Sequence, residues 1–301
     1  MQFDAVLIAG PTASGKSAAA LTLAERIGGV IVNADSMQVY AEPRILTARP
    51  SDEDMRAVSH LLYGHVSVRE HYSVGRYQTD AASAFAQARK MKRIPIFTGG
   101  TGMYFGALTE GIAEIPAVPD EVRQRAAARR AELGAEKFFA ELEARDPDSG
   151  AKLRASDTQR TLRAYEVLEA TGKPLSYWQT HTGEPMLQNM KLAKFVVSPA
   201  RAELHRRIDA RFEAMIVAGA MEEVAILADL DPALPSAKLL GRRELLAARA
   251  GEISVAEAMT LAQAATRQYA KRQLTWLRNR MTDWTWATEL GAISSNFAGG
   301  K

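Results

Sequence analysis

The sequence predicts an α/β protein: a P-loop parallel-sheet core with a helical insertion domain and a helical C-terminal region. Three observations predict it. Residues 1 to about 115 alternate short apolar strands with helical stretches, which is the pattern of a parallel sheet. Gly10-Pro-Thr-Ala-Ser-Gly-Lys16-Ser17 fits G-x-x-x-x-G-K-[ST] between a strand and a helix. From Asp120 to about Thr180 no strand pattern occurs, and Phe195-Val-Val-Ser198 then restores one.

Taken in order, Ala5-Val-Leu-Ile-Ala9 reads as a buried strand, and Ala18 to Ile27 as the helix after the loop. Val30-Ile-Val32 is the second strand and runs into Asn33-Ala-Asp35. An amphipathic helix spans about Val74 to Lys92, followed by the strand Ile94-Pro-Ile-Phe97 and the turn Thr98-Gly-Gly-Thr101-Gly. Pro116 and Pro119 mark a break. Asp120 opens one helix, and Asp157 opens another that stops at Gly172-Lys-Pro174. After Ser198 the chain reads as helical throughout: Arg201 to Ala218, Met221 to Leu230, Gly241 to Ala250, and Ser254 to about Arg280. Gly299-Gly-Lys301 is expected to fray. The expected domains are a core of 1–115 and 195–301 and a helical insertion of 116–194.

Composition narrows the classes. The 301 residues suffice for a sizeable core, and the absence of cysteine excludes disulfides and thiolate metal sites. The first residues carry no basic stretch, and their apolar run is too short for a signal or membrane helix, so a cytoplasmic protein is expected. A net charge of +3 with a pI near 9.1 allows a nucleic-acid partner without requiring one. The five histidines show no metal-ligand spacing, and no nucleophile–base order is visible.

Chemistry concentrates at the carboxyl ends of the strands, where open α/β sheets bind ligands. Gly10, Pro11, Thr12, Ala13, Ser14, Gly15, Lys16 and Ser17 form a phosphate cradle; Lys16 adds a charge and Ser17 can reach Mg²⁺. Asp35, after the second strand, can hold Mg²⁺, act as a general base, or cap a helix. Thr101 offers a hydroxyl in a small-residue turn. Because that turn carries no acid, the layout suits a transferase better than a motor ATPase. Gln159, Arg160 and Arg163 cluster on the insertion helix, where they read as RNA contacts or as a solvated face. On the last helix Arg267, Lys271 and Arg278 make a basic stripe beside Tyr269, Gln273 and Trp276, a mixture that suits RNA as well as core packing.

These motifs together resemble bacterial tRNA dimethylallyltransferases, the IPP transferase family. The resemblance rests on Gly10 to Ser17, Asn33-Ala-Asp-Ser-Met-Gln-Val-Tyr40, Tyr72-Ser-Val, Phe97-Thr-Gly-Gly-Thr-Gly-Met-Tyr-Phe105, Gly172-Lys-Pro-Leu-Ser176 and Thr266-Arg-Gln-Tyr-Ala-Lys-Arg-Gln-Leu-Thr-Trp276. It implies transfer of a dimethylallyl group from dimethylallyl diphosphate to N6 of the adenosine at tRNA position 37, with Mg²⁺ assisting. It further implies that Thr12 to Ser17 and Arg211 hold the diphosphate, that Asp35 is the base, and that Thr101 contacts the reacting centre. Asp35, Ser36, Met37, Gln38, Thr101, Arg123, Gln159, Arg160, Thr161, Leu162 and Arg163 would meet the tRNA anticodon stem-loop. A monomer with no membrane association is expected. The sequence departs from the family pattern at Ala41 to Pro50, at Ser59-His60-Leu61 and at Gly241-Arg-Arg-Glu244. Two alternatives stand beside it: an adenylate isopentenyltransferase, which would not need the insertion, and a P-loop small-molecule kinase.

Overall fold

A computed structural model describes residues 3–288. It divides into two compact units, one of residues 1–108 and 187–301, the other Thr109–Met186.

The first unit is built on a parallel sheet of six strands, in spatial order β3 (His60–Leu61), β2 (Val30–Asn33), β4 (Pro95–Gly99), β1 (Ala5–Ala9), β5 (Leu192–Val197) and β6 (Thr285–Ala287). Its first half runs β1 (Ala5–Ala9), α1 (Lys16–Ile27), β2 (Val30–Asn33), α2 (Asp52–Ala57), β3 (His60–Leu61), α3 (Val74–Lys90), β4 (Pro95–Gly99) and α4 (Gly102–Thr109). β1 is wholly buried, as a central parallel strand covered on both faces must be. Val6 and Ile8 join Ala20, Leu23 and Ala24 of α1 in one apolar cluster, so Leu7 points to the opposite face. α1 starts at Gly15, whose φ of 93° only glycine adopts easily, and ends at left-handed Gly28. Tyr77 of α3 stacks on Tyr104 of α4 at 3.7 Å and 6°.

The second unit comprises α5 (Asp120–Arg145), α6 (Pro147–Gly150), α7 (Thr158–Thr171) and α8 (Leu175–Gln179). α5 breaks at Gly134, where φ is 74° and ψ is 171°. Its second half brings Phe138 and Leu142 against Ala164 and Tyr165 of α7. The Tyr165 hydroxyl donates to Glu141 at 2.8 Å, and Arg145 pairs with Glu169 at 2.6 Å. Asp157 caps α7 by accepting from Arg160 N, and left-handed Gly172 closes it. The unit's two chain ends lie side by side: Gly183 N donates to Ile112 O at 3.0 Å, and Ala113 bridges Thr182 antiparallel.

The chain resumes in the first unit with β5 (Leu192–Val197), α9 (Arg201–Val217), α10 (Ala220–Glu223), α11 (Arg242–Arg249), α12 (Val255–Arg280) and β6 (Thr285–Ala287). Three details differ from the sequence reading. β6 pairs parallel with β5 where only helix was expected, because a three-residue strand is too short to show a period. β3, of two residues, was hidden for the same reason. The expected helix from Met221 to Leu230 is instead α10 followed by a 3₁₀ turn, Val224–Leu227, after left-handed Gly219. Gly299 to Lys301 lie outside the described residues. No helix among the described residues is long and apolar enough to cross a membrane.

The atypical segments have structural partners. The Glu223 carboxylate accepts from three successive backbone N–H groups, those of Arg44, Ile45 and Leu46, and so anchors the 41–50 loop. Gln38 Nε2 donates to Thr47 O and Ala48 O of the same loop. Arg242 is a scaffold residue: its guanidinium donates to the carbonyls of Leu227 at 2.7 Å and Ala228 at 3.1 Å. Arg243 pairs with Glu244 at 3.0 Å.

Candidate active site

The phosphate loop, the end of β2 and the end of β4 converge at one sheet edge. β2 and β4 are direct neighbours, with Asn33 in register with Thr98. Their ends are pressed together at Gly99, where a Cβ would fall 2.0 Å from Ala34 O. The Ala34 carbonyl instead accepts from Thr101 N at 3.2 Å.

Asp35 is fixed by the residue two before it. Buried Asn33 accepts from Asp35 N at 2.9 Å, and its amide donates to Asp35 O at 2.9 Å and Leu62 O at 3.0 Å. Asp35 Oδ1 accepts from Met37 N at 2.9 Å, whereas Oδ2 accepts no hydrogen bond among the described residues. One carboxylate oxygen is therefore committed to the turn and the other is available for chemistry. Thr101 stands beside it: its Oγ1 accepts from Ser36 N at 2.9 Å and lies 3.2 Å from Ser36 Oγ. Buried Tyr104 and half-buried Tyr63 and Tyr269 lie within charge reach of Asp35. Burial raises their phenol pKa values, and the Asp35 charge raises them further. They are neutral hydroxyls around the carboxylate.

The loop is cationic at its mouth. Lys16 Nζ donates to Pro11 O at 3.1 Å. Burial lowers its pKa to about 8; Asp35 opposes that shift and Arg211 adds to it. Arg211 of α9 reaches Thr12, donating from Nη2 to Oγ1 at 2.6 Å. Its pKa too is lowered, chiefly by burial, with Asp35 opposing. Lys16, Arg211 and Asp35 thus sense one another's charge. One turn before Arg211, Arg207 donates to Ser14 O at 3.2 Å and to Glu203 at 2.6 Å. Ala13 holds a left-handed φ of 61° and packs with Leu204 and Ile208 of α9 and Ala270 of α12. Ser17 stands exposed on the first turn of α1.

Sequence reasoning passed over three contributors. Asn33 could be read from its place two residues before an acid at a strand end, where an Asx side chain bonds local backbone. Arg207 could be read from its spacing of four from Arg211. Gln273 was placed on an RNA-facing or core stripe of α12; it is buried against the phosphate loop. Neighbouring Arg267 pairs with Asp209. Trp276 packs on Gly102, where a Cβ would fall 2.2 Å from the ring.

The tRNA-contact candidates divide. Ser36 and Met37 are half-buried beside Asp35, and the amide nitrogen of Gln38 is held by the 41–50 loop. In the second unit Gln159 and Arg160 are exposed, Arg123 pairs with Asp120 at 3.1 Å, and Arg163 lies 3.8 Å from Glu166. Thr161 does not belong with them. It is wholly buried, and its hydroxyl donates to Asp157 O at 2.9 Å, because position 161 falls on the inward face of α7. Leu162 likewise packs against the Phe138 cluster. A cleft of about 500 Å³ lined by Lys152, Arg154, Asp157 and Arg160 adds positive charge at the start of α7.

No group of three or more His, Asp or Glu side chains able to hold a metal occurs among the described residues. The Ser17 hydroxyl at the phosphate loop fits Mg²⁺, which takes few protein ligands and completes its shell with phosphate and water.

The chain is similar to known proteins along most of its length. Residues 38–280 match the family model described as IPP transferase, and residues 3–70 match one described as isopentenyl transferase. The chain is 52% identical over 284 residues to a tRNA dimethylallyltransferase of Azorhizobium caulinodans, covering 93% of this chain and 90% of that protein. It is 49% identical over 285 residues to one of Sinorhizobium medicae, covering 94% and 93%. Among solved structures it resembles a tRNA isopentenylpyrophosphate transferase from Bacillus halodurans (TM-score 0.68, 28% identity, 98% and 96% covered). It also resembles a eukaryotic dimethylallyltransferase captured acting on tRNA (TM-score 0.76, 25% identity, 91% and 69% covered).

Proposed function

The chain belongs to the IPP transferase family, a prenyl-group transferase family whose relatives above are tRNA dimethylallyltransferases, and from that premise we propose its reaction in detail. The donor is dimethylallyl diphosphate. The acceptor is N6 of the adenosine at tRNA position 37, presented by the anticodon stem-loop. The N6–C1 bond forms as the C1–O bond to diphosphate breaks, and the N6 proton passes to Asp35.

The carrying observation is that Asp35, with one free oxygen, sits within mutual charge reach of Lys16 and Arg211 and beside the Thr101–Ser36 contact. An allylic diphosphate ionises readily once its departing charge is stabilised. The N–H groups of the phosphate loop, Lys16 and Arg211 are suited to that in a partly dry site. The adenine amine is a weak nucleophile, so a carboxylate is needed as charge develops on N6. Thr101, oriented by Ser36, touches the reacting centre from the acceptor side. Ser17 would hold Mg²⁺, which would supply neutralising charge to the leaving group. The target base must leave its stack, at a cost of a few kcal/mol. Arg123, Gln159, Arg160 and Arg163 of the second unit offset that cost through RNA contacts, with Ser36, Met37 and Gln38 on the sheet unit. Thr161 and Leu162 support α7 from within. A cytoplasmic monomer is part of the same proposal.

Incubation with Mg²⁺, labelled dimethylallyl diphosphate and either unmodified tRNA or AMP tests the reading. Label is expected in tRNA. Label in AMP alone would assign free-nucleotide prenylation, and ATP consumption without label transfer would assign a kinase. Asp35→Ala should abolish transfer while tRNA still binds; transfer at the normal rate would remove Asp35 from the chemistry.

A further inference from the structure

α12 places Tyr269, Gln273 and Trp276 on one edge, at spacings of four and three. Gln273 is buried, and both ends of its carboxamide are engaged. Its Oε1 accepts from Thr12 N at 2.9 Å, and its Nε2 donates to Gly100 O at 2.9 Å. Thr12 belongs to the phosphate loop, and Gly100 to the turn that carries Thr101. A Cβ on Gly100 would lie 2.3 Å from Gln273 Nε2, 3.2 Å from Gly10 O and 3.5 Å from Asp35 Oδ2. The amide therefore fills the space where the loop, the turn and the carboxylate meet. Arg211 bonded to Thr12, and Thr101 bonded to Ser36, extend this to a continuous line from the cationic end to the acceptor end.

We propose that Gln273 is a positioning residue that fixes the separation between the leaving-group half and the acceptor half of the site. This rests on the reaction assigned above. Transfer to an amine requires nucleophile, carbon and leaving group to be held in a near-attack arrangement, and a misplacement of about 1 Å costs about 10²-fold in rate. A carboxamide can accept from one backbone and donate to another across a fixed span. Glutamate keeps the shape but, when ionised, cannot donate to Gly100 O. Asparagine is one methylene too short, and methionine fills the volume with neither bond. The Thr12 N–H, moreover, is spent on Gln273 rather than on phosphate. Losing Gln273 thus leaves the remaining N–H groups of the loop and Lys16 to bind the donor.

The test compares full-length wild type with Q273M, Q273N and Q273E in steady-state prenylation of unmodified tRNA, alongside thermal denaturation. The proposal expects kcat to fall at least about tenfold in all three, with the KM of donor and of tRNA within about threefold of wild type. A distinctive result is expected of Q273E. Burial beside the Asp35 carboxylate raises the pKa of a carboxyl placed here, and once protonated it regains a donor for Gly100 O, so the kcat of Q273E relative to wild type should rise as pH falls from about 8 to about 5. Because Lys16, Arg211 and Tyr269 are charge-coupled to Asp35 in the same site, Q273M, which adds no titratable group, is run at each pH as the control. A kcat within threefold of wild type in Q273M and Q273N would overturn the proposal. So would losses confined to KM, or a lowered melting temperature accompanied by a pH-independent Q273E ratio, since those mark mere packing of α12. Wild type that fails to label tRNA would overturn the reaction assignment, and this proposal with it.

Discussion

Replacing Asn33 by alanine should uncouple the Asp35 turn from the sheet. The side chain is wholly buried and makes three hydrogen bonds: it accepts one from Asp35 N and donates one each to Asp35 O and Leu62 O. At about 1 kcal/mol net for each bond, the loss is about 3 kcal/mol. The buried carbonyls left without donors keep the cost from falling far below that. Asn33→Asp separates the bonds. It retains the acceptor for Asp35 N but loses both donations and turns a carboxylate toward two carbonyl oxygens, so it should destabilise at least as much as alanine. Trp276, Trp284 and Trp286 lie in the same unit, so urea unfolding followed by tryptophan fluorescence reports the change. Prenylation at saturating substrates should fall at least about tenfold in both variants, because Asp35 loses its fixed placement. A destabilisation below about 1 kcal/mol in Asn33→Ala, or an Asn33→Asp variant that outperforms it, would refute this reasoning.

Three further outcomes are expected. Burial holds the Lys16 pKa at about 8, below its ordinary 10.5, so its charge is present below pH 8 and lost above it. Donor affinity measured calorimetrically should therefore fall toward about tenfold per pH unit above 8, and K16M should be weak and flat across the range. The contribution to stability has the opposite sign: the cost of burying the charged ammonium is full below pH 8 and is relieved between 8 and 10.5. Tyr77→Phe should leave stability unchanged or raise it by up to about 1 kcal/mol, because the hydroxyl is buried without a partner among the described residues while the stack on Tyr104 is kept; a loss above about 1 kcal/mol in thermal unfolding would contradict this. Glu223→Ala removes the acceptor of three N–H groups, so amide exchange at Arg44, Ile45 and Leu46 should accelerate selectively, and unchanged protection would show that the loop holds itself.

Much of this was legible in the sequence because local rules govern it. The phosphate loop is a contiguous motif, and its flanking strand and helix have clear apolar patterns. Asp35 and Thr101 follow strands, so the rule of ligands at carboxyl ends located them without tertiary information. What escaped depended on pairings distant in sequence. Gln273 and Thr12 lie 261 residues apart, and nothing in the spacing of α12 says which stripe meets the loop. Thr161 was misplaced because a five-residue helical stretch covers more than one face, so a contiguous run must include inward residues. β3 and β6 exist only through pairing with longer neighbours, and their own residues carry no period.

The sheet unit closes its chain path independently of the insertion. Leu187 N donates to Leu108 O at 3.0 Å, so the strand of chain that departs after Leu108 returns to within one hydrogen bond of its origin. Such a closure behaves as a graft point. The segment between could be exchanged for a short turn, or for the corresponding segment of a relative, without lengthening any connection in the sheet. A chimera made at 108/187 would keep the phosphate loop, Asp35 and Thr101 of one parent and take the α5–α8 surface of the other, making these two positions the natural seam for exchanging one unit without recutting the sheet.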